Sequence, residues 1–153
     1  MPKTFNRDVD LQGSSTLNKD GTTLIGATGL YKGGVSSSSP SLGVGYATGA
    51  GGTVTQATNK STGATLSKVS GAITMNNAAL AAGTIVSFVL TNTAIAVTDV
   101  LVLNHISGGT IGSYTLNAQA AAGSATINIR NNTAGSLSEA VVIQFAVIKA
   151  VNA

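Results

Sequence analysis

The chain has 153 residues, a net charge of +3, only 8% charged residues and no cysteine. This length fits one domain with at most a short appendage. The lack of cysteine excludes disulfides, thiolate metal sites and cysteine catalysis. The sequence has no run of Lys and Arg and no Arg interleaved with aromatic residues, so we expect no nucleic-acid binding. No apolar stretch approaches the roughly 18 residues of a membrane span, so we also expect no membrane insertion.

The low charge is itself informative, because ordinary soluble domains carry about 25% charged residues. Here Gly, Ala, Thr, Ser and Asn take their place. This composition is typical of all-β proteins with tight turns, often ones that work in assemblies or fibres. Disorder is the alternative, but the ordered alternation of Val, Ile and Leu argues against it.

Charge also divides the chain. Seven of the thirteen charged residues lie within residues 1–32, and a Gly- and Ser-rich stretch, "GGVSSSSPSLGVG", follows at residues 33–45. Gly and Ser make a segment flexible, and a proline blocks regular strand pairing. We therefore predict an extended or hairpin anchor segment at 1–32, a linker at 33–45 and a β-sandwich knob at 46–153.

The first segment is too short to form its own core. Phe5, Val9 and Leu11 fall on one face of a possible strand. An Asp-Gly turn at residues 20–21, between Leu17 and Leu24, predicts a hairpin. Because an isolated hairpin is marginally stable in water, we expect this segment to dock on another copy or on a different protein.

The rest of the chain has the pattern of short strands separated by glycine turns. This pattern indicates an antiparallel β-sandwich or a jelly-roll-like fold. The eight strand-like segments are 53–58, 64–69, 72–75, 84–91, 99–106, 113–120, 125–131 and 140–150. Gly71 separates the second segment from the third, and residues 77–84 are compatible with one helical turn.

Residues 100–103 and 140–148 are apolar on both faces. One face of each strand can fill the sandwich, and we expect the other face to meet another subunit, because closed homo-oligomers commonly bury such surface. The alternatives are that these side chains are simply exposed or are covered by the N-terminal segment. The predicted subunit interface consists of Val100, Val102, Val142, Phe145 and Val147.

Two stretches, "GYATGAGGTVTQATNKSTGATLSKVSGAITMNNAALAAGT" (45–84) and "GSLSEAVVIQFAVIKA" (135–150), resemble a C-terminal module of tailed-bacteriophage virion surface proteins. The resemblance covers about 105 residues. The shared residues are Gly51, Gly52, Thr53, Val54, Gln56, Lys60, Gly71, Ile73, Ser138, Glu139 and Phe145.

The resemblance implies a part of the virion surface, made in the cytoplasm of the bacterial host: a head fibre, a capsid decoration or cement protein, or a tail-fibre tip. Many such proteins are homotrimers. The short N-terminal segment favours a capsid accessory that docks on the major capsid protein. The anchoring residues would be Phe5, Arg7, Val9, Leu11, Leu17 and Leu24. The alternative is a tail-fibre tip or receptor-binding protein that recognises a host surface glycan or protein.

Residues suited to catalysis are scarce, so we expect no enzyme and no cofactor. A glycosidase needs two carboxylates, or one carboxylate with a proton partner, and after residue 45 the chain offers only Asp99 and Glu139. Asp99 precedes a strand, and Glu139 is placed to bind backbone donors or to pair with Arg130 or Lys149. His105 has no evident triad, and one histidine holds a metal only if three copies meet on a symmetry axis.

Sugar binding commonly uses aromatic platforms, and the chain has three Tyr, three Phe and no Trp. We expect Phe88 and Phe145 to lie in the core and Tyr114 to be a candidate for exposure. The Asn- and Thr-rich loop at 130–136 is the other place where polar contacts to a sugar are expected.

Overall fold

The structure is a computed structural model that describes residues 15–17 and 23–25 by their backbone and residues 40, 41 and 43–152 in full. The chain divides into two compact units, Met1–Val44 and Gly45–Ala153. Among the residues described, no helix is long and apolar enough to cross a membrane.

The first unit contains an antiparallel strand pair. β1 (Ser15–Leu17) pairs with β2 (Thr23–Ile25), and Thr16 lies opposite Leu24. The two strands flank residues 18–22, where the hairpin turn is predicted, and that turn lies outside the described residues. The predicted strand over residues 5–11, with Phe5, Arg7, Val9 and Leu11, lies outside the described residues.

The second unit is an all-β, sandwich-like domain made of two four-stranded sheets. Sheet 1 has the strand order β3-β5-β10-β7, and sheet 2 has the order β4-β6-β9-β8. The strands are β3 (Thr53–Thr55), β4 (Ala64–Thr65), β5 (Ser70–Thr74), β6 (Ile85–Thr91), β7 (Val100–Ser107), β8 (Tyr114–Ala121), β9 (Ser124–Asn131) and β10 (Val142–Ile148).

The prediction of an antiparallel sandwich is correct for most pairs and wrong at one edge of each sheet. β3 pairs with β5 in parallel, and β4 pairs with β6 in parallel. Parallel neighbours need a crossover connection, and here each crossover passes through a strand of the opposite sheet. From β3 to β8 the chain alternates between the two sheets at every step. Hydrophobic alternation reports which face of a strand is buried but not the direction of the neighbouring strand. The sequence pattern therefore did not reveal the two parallel pairs.

The inner faces of the central strands form the core. Phe88 and Phe145, predicted to be core residues, are 2% and 0% exposed. Their strands alternate strictly between buried and less buried residues, as expected for strands with one face in a core. The other fully buried apolar side chains include Ile73, Leu90, Ile127, Ile129, Ile143 and Val147.

Two local predictions are wrong. Gly71 does not separate two strands but lies inside β5, where a Cβ atom would come within 2.6 Å of the Leu66 side chain and 2.8 Å of the Gly52 carbonyl oxygen. Glycine is required there because neighbouring chain segments approach closely, not because the chain turns. The segment 77–84 forms no helical turn, since Leu80 makes an antiparallel bridge with Leu137.

Candidate functional site

An apolar strip lies on the outer face of sheet 1. Val100 lies opposite Ile148, and Val102 lies opposite Ala146, so two cross-strand pairs stand side by side on β7 and β10. Val100, Val102 and Ile148 are 52%, 49% and 52% exposed. We call these four residues the outer strip.

The predicted interface residues separate between two faces. Val100 and Val102 lie in the outer strip, and Val142 is half-buried further along the outer face of β10. Phe145 and Val147 have no exposed surface, because they point into the core between the sheets. Their inclusion in a subunit interface is therefore a wrong assignment, caused by treating both faces of an apolar strand alike.

An ion pair lies at the edge of the outer strip. Asp99 directly precedes β7 and Lys149 directly follows β10, and the Lys149 Nζ lies 2.6 Å from the Asp99 Oδ2. The Asp99 carboxylate also accepts a hydrogen bond from the Ala96 N–H at 2.7 Å, and this bond, together with Lys149, lowers the pKa of Asp99. The two charges nearest to the strip thus neutralise each other.

Glu139 organises the opposite end of β7. Its carboxylate accepts hydrogen bonds from the Thr110 backbone N–H at 3.0 Å, from the Thr110 hydroxyl at 2.7 Å and from the Tyr114 phenol. The expectation that Glu139 binds backbone donors is confirmed, whereas Lys149 pairs with Asp99 instead. The hydrogen bonds from Tyr114 and Thr110 lower the pKa of Glu139 to about 2, and burial together with Glu139 raises the pKa of Tyr114.

Lys60 lies beneath this network and is only 3% exposed. Its ammonium donates to the backbone carbonyl of Asn76 at 2.6 Å and to that of Glu139. Burial lowers the pKa of Lys60, and the nearby Glu139 opposes this shift. Lys60 therefore ties the end of β5 to the segment before β10. Nothing in the sequence pattern distinguished it from a surface lysine.

The two carboxylates considered for catalysis do not meet within one chain. Asp99 and Glu139 lie near opposite ends of β7, which at about 3.3 Å per residue places them roughly 25 Å apart. No group of three or more His, Asp or Glu suited to a metal ion occurs among the residues described. Within the described part of a single chain, the geometry thus brings together neither a carboxylate pair nor a set of metal ligands.

His105 closes the turn after β7. Its Nε2 lies 3.0 Å from the carbonyl oxygens of both Ser107 and Gly108. Because both partners are acceptors, Nε2 carries the proton, and in the neutral ring Nδ1 remains an acceptor. The imidazole packs edge-on against the Tyr114 ring, with the ring centroids 5.8 Å apart. Its contacts are local, as expected for a histidine at a strand end.

A surface cleft of about 410 Å³ opens beside this turn. It is lined by Asn104, His105, Ile106, Ser107, Gly109, Ile111, Gly112 and Tyr114. Of its lining residues, only His105 and Tyr114 stood out in the sequence, because the walls come from a loop whose course depends on the left-handed glycines 108, 109 and 112.

Asn131 and Thr133, in the loop at 130–136, use their polar side chains in bonds within the protein. Asn131 is fully buried, and its Nδ2 donates to the carbonyls of Leu80 and Gly135 at 2.9 and 2.7 Å. Its Oδ1 accepts from the N–H and the hydroxyl of Thr133. These groups hold the loop in place and are not free to bind a sugar.

Comparison of the chain with protein-family models, with curated proteins and with solved structures found no match.

Proposed function

We propose that this protein is a structural accessory of a bacteriophage virion, which assembles with copies of itself through the outer strip and attaches to the capsid through residues 1–32. The observation that carries the assembly part is the outer strip. Three half-exposed aliphatic side chains stand together there on two paired strands. Burying such a surface against a second copy is favourable, and cyclic homo-oligomers are the usual way to do so.

The chemistry around the strip supports a protein partner. The outward-facing residues of sheet 1 are all uncharged, and the two nearest charges, Asp99 and Lys149, are already paired. An interface core depleted of charge, with polar groups at its rim, is the usual anatomy of protein–protein contacts. The homotrimer itself rests on the resemblance of residues 45–84 and 135–150 to virion surface proteins.

The proposed attachment to the capsid rests on the division of the chain into two compact units. The first unit ends at Val44 and holds the β1–β2 pair, which is too small to be stable alone. A segment of this kind gains stability by docking on a larger surface. Assembly of three copies would multiply weak attachment contacts through avidity.

Co-sedimentation of the full chain with phage capsids that lack it tests the attachment. We expect the wild-type chain to bind and Leu11→Asp to bind at least about tenfold more weakly, because a carboxylate replaces an apolar anchoring side chain. Thr126→Asp, on the outer face of sheet 2, is the matched control and keeps wild-type binding. Equal binding of Leu11→Asp would refute the anchor, and binding to host cells instead of capsids would favour a receptor-binding role.

A further inference from the structure

We propose that the cleft at the end of β7 is a binding site for a neutral saccharide. This inference goes beyond the assembly role and does not depend on it. It rests on three features of the cleft: unpartnered polar groups, the absence of an available charge, and apolar surface beside the polar groups.

The polar groups come from two residues on the outer face of β7. The amide of Asn104 and the hydroxyl of Ser107 have no hydrogen-bond partner among the described residues, and both line the cleft. His105 lies opposite core-facing Ile143, so its ring is on the other face of β7, where it packs against Tyr114 and lines the far side of the cleft. An amide and a hydroxyl each donate and accept, as a sugar hydroxyl does. Together they match a ligand that presents several hydroxyls at once.

Charged ligands fit the cleft poorly. The nearest carboxylate, that of Glu139, is occupied by three donors from Thr110 and Tyr114 and is not free to hold a cation. Lys60 is buried, and its ammonium binds two backbone carbonyls, so it offers nothing to an anion. With a neutral His105 ring, a phosphate or carboxylate entering the cleft would therefore lose hydration without meeting a cation.

The remaining lining is apolar. Ile106 and Ile111 are 48% and 94% exposed, and Tyr114, whose hydroxyl bonds Glu139, also lines the cleft. A sugar ring presents C–H groups as well as hydroxyls, and such surface packs on aliphatic and aromatic side chains. The volume of about 410 Å³ lies within the range of roughly 300–1,000 Å³ that is usual for small-molecule sites.

The cleft is also largely pre-formed. The loop that walls it is held by two hydrogen bonds from Thr110 to the Glu139 carboxylate. The His105 ring is fixed by its bonds to Ser107 and Gly108. A fixed site loses less entropy on binding, which favours even a weak ligand.

Titration of the full chain with neutral saccharides, followed by ¹H–¹⁵N NMR, tests the site. The probes are glucose, galactose, mannose, N-acetylglucosamine, lactose and maltose, with glucuronate and glucose 6-phosphate as charged comparisons. We expect saturable shifts confined to residues 104–114 with at least one neutral probe. Glucuronate and glucose 6-phosphate are charged derivatives of glucose. If glucose binds, we expect both of them to bind more weakly than glucose does.

Substitutions separate a specific site from general surface binding. Asn104→Ala and Ser107→Ala each remove a neutral hydrogen-bonding group and should raise the Kd by about three- to tenfold. Asn117→Ala, on the outer face of sheet 2, leaves the Kd unchanged. The inference is overturned if no neutral probe gives saturable shifts, if the shifts lie outside the cleft, or if Asn104→Ala and Ser107→Ala both bind as the wild type does.

Discussion

Tyr114, the first residue of β8, donates its phenolic hydrogen to the carboxylate of Glu139, which lies 25 residues further along the chain. The same carboxylate holds the backbone and the hydroxyl of Thr110. One acidic side chain therefore joins the start of a sheet 2 strand, the β7–β8 loop and the segment that leads into β10 of sheet 1. The loop wall of the cleft depends on this carboxylate being ionised.

The acid stability of the protein should reflect Glu139. Its pKa falls from 4.5 to about 2 on folding, chiefly through the hydrogen bonds from Tyr114 and Thr110. A lowered pKa in the folded state means that the unfolded chain binds more protons between these values. The stabilisation is therefore complete above about pH 4.5 and is lost as the pH falls towards 2. Urea unfolding from pH 7 to pH 2 should show this decline.

Glu139→Gln is the control for the acid effect, because it removes the titrating group and keeps the shape. The difference in unfolding free energy between wild type and Glu139→Gln should shrink as the pH falls from about 4.5 to about 2. Asp99, whose pKa is also lowered, is present in both proteins and cancels in the difference. A difference that stays constant over this range would contradict the role given to Glu139.

Gly108→Ala should destabilise the protein more than Gly112→Ala does. Both glycines have left-handed backbones, with φ of 61° and 81°, so alanine costs about 1–2 kcal/mol at either position. At Gly108 the added Cβ would also overlap the carbonyl oxygen of Ala140, whereas at Gly112 it meets nothing within 4 Å. Thermal unfolding of the two variants gives the comparison, and equal losses would show that the loop moves freely away from Ala140.

Lys60→Met should cost about 2 kcal/mol of unfolding free energy. The substitution keeps an unbranched chain of similar length but leaves the carbonyls of Asn76 and Glu139 without their charged donor, and such bonds contribute about 1.5–3 kcal/mol each. Methionine also removes the free-energy cost of burying an ammonium group, and this gain offsets part of the lost hydrogen bonding. Lys68→Met is the control, since Lys68 is exposed and makes one 3.2 Å bond to Gly49, and it should change stability by less than about 0.5 kcal/mol. Chemical denaturation measures both, and a neutral Lys60→Met would refute the role of Lys60 as a structural tie.

Asn131→Ala should be among the most damaging polar substitutions. It removes the two bonds that Nδ2 donates to the carbonyls of Leu80 and Gly135 and the bond that Oδ1 accepts from the Thr133 N–H, at about 0.5–1.5 kcal/mol for each bond. The Leu80 carbonyl keeps the Leu137 N–H and the Gly135 carbonyl keeps the Thr133 hydroxyl. The side chain of the neighbouring Asn132 is exposed and bonds only the Thr115 hydroxyl, so Asn132→Ala should be nearly neutral. The melting temperatures of the two variants decide this, and a similar small change in both would contradict the assignment.

The sequence was sufficient for the fold class and for the inward-facing sides of the strands. Phe88 was placed correctly because period-two alternation along its strand directly reports burial in a sheet. Strand direction was not predictable, since β3 and β4 are too short to carry a topological signal and their crossovers run through the opposite sheet.

The site residues were harder to predict, for a different physical reason. A buried lysine such as Lys60 and a buried amide such as Asn131 look like surface residues in a sequence, because their partners are backbone carbonyls from distant segments. β10 is apolar on both sides, so the pattern gave no basis for separating core-facing Phe145 from outward-facing Ile148. Only the packing of the two sheets separates them.

The most direct test of the proposed assembly is the mass of the full chain in solution, measured by size-exclusion chromatography with light scattering. The wild-type protein should have three times the 15.0 kDa mass of one chain. Val102→Lys, which places a charge in the middle of the outer strip, should shift it to the monomer while the far-ultraviolet circular dichroism spectrum stays unchanged. Thr126→Lys on sheet 2 should remain a trimer. A wild-type protein that is monomeric at micromolar concentration, or a Val102→Lys variant that keeps the wild-type mass, would contradict assembly through the outer strip.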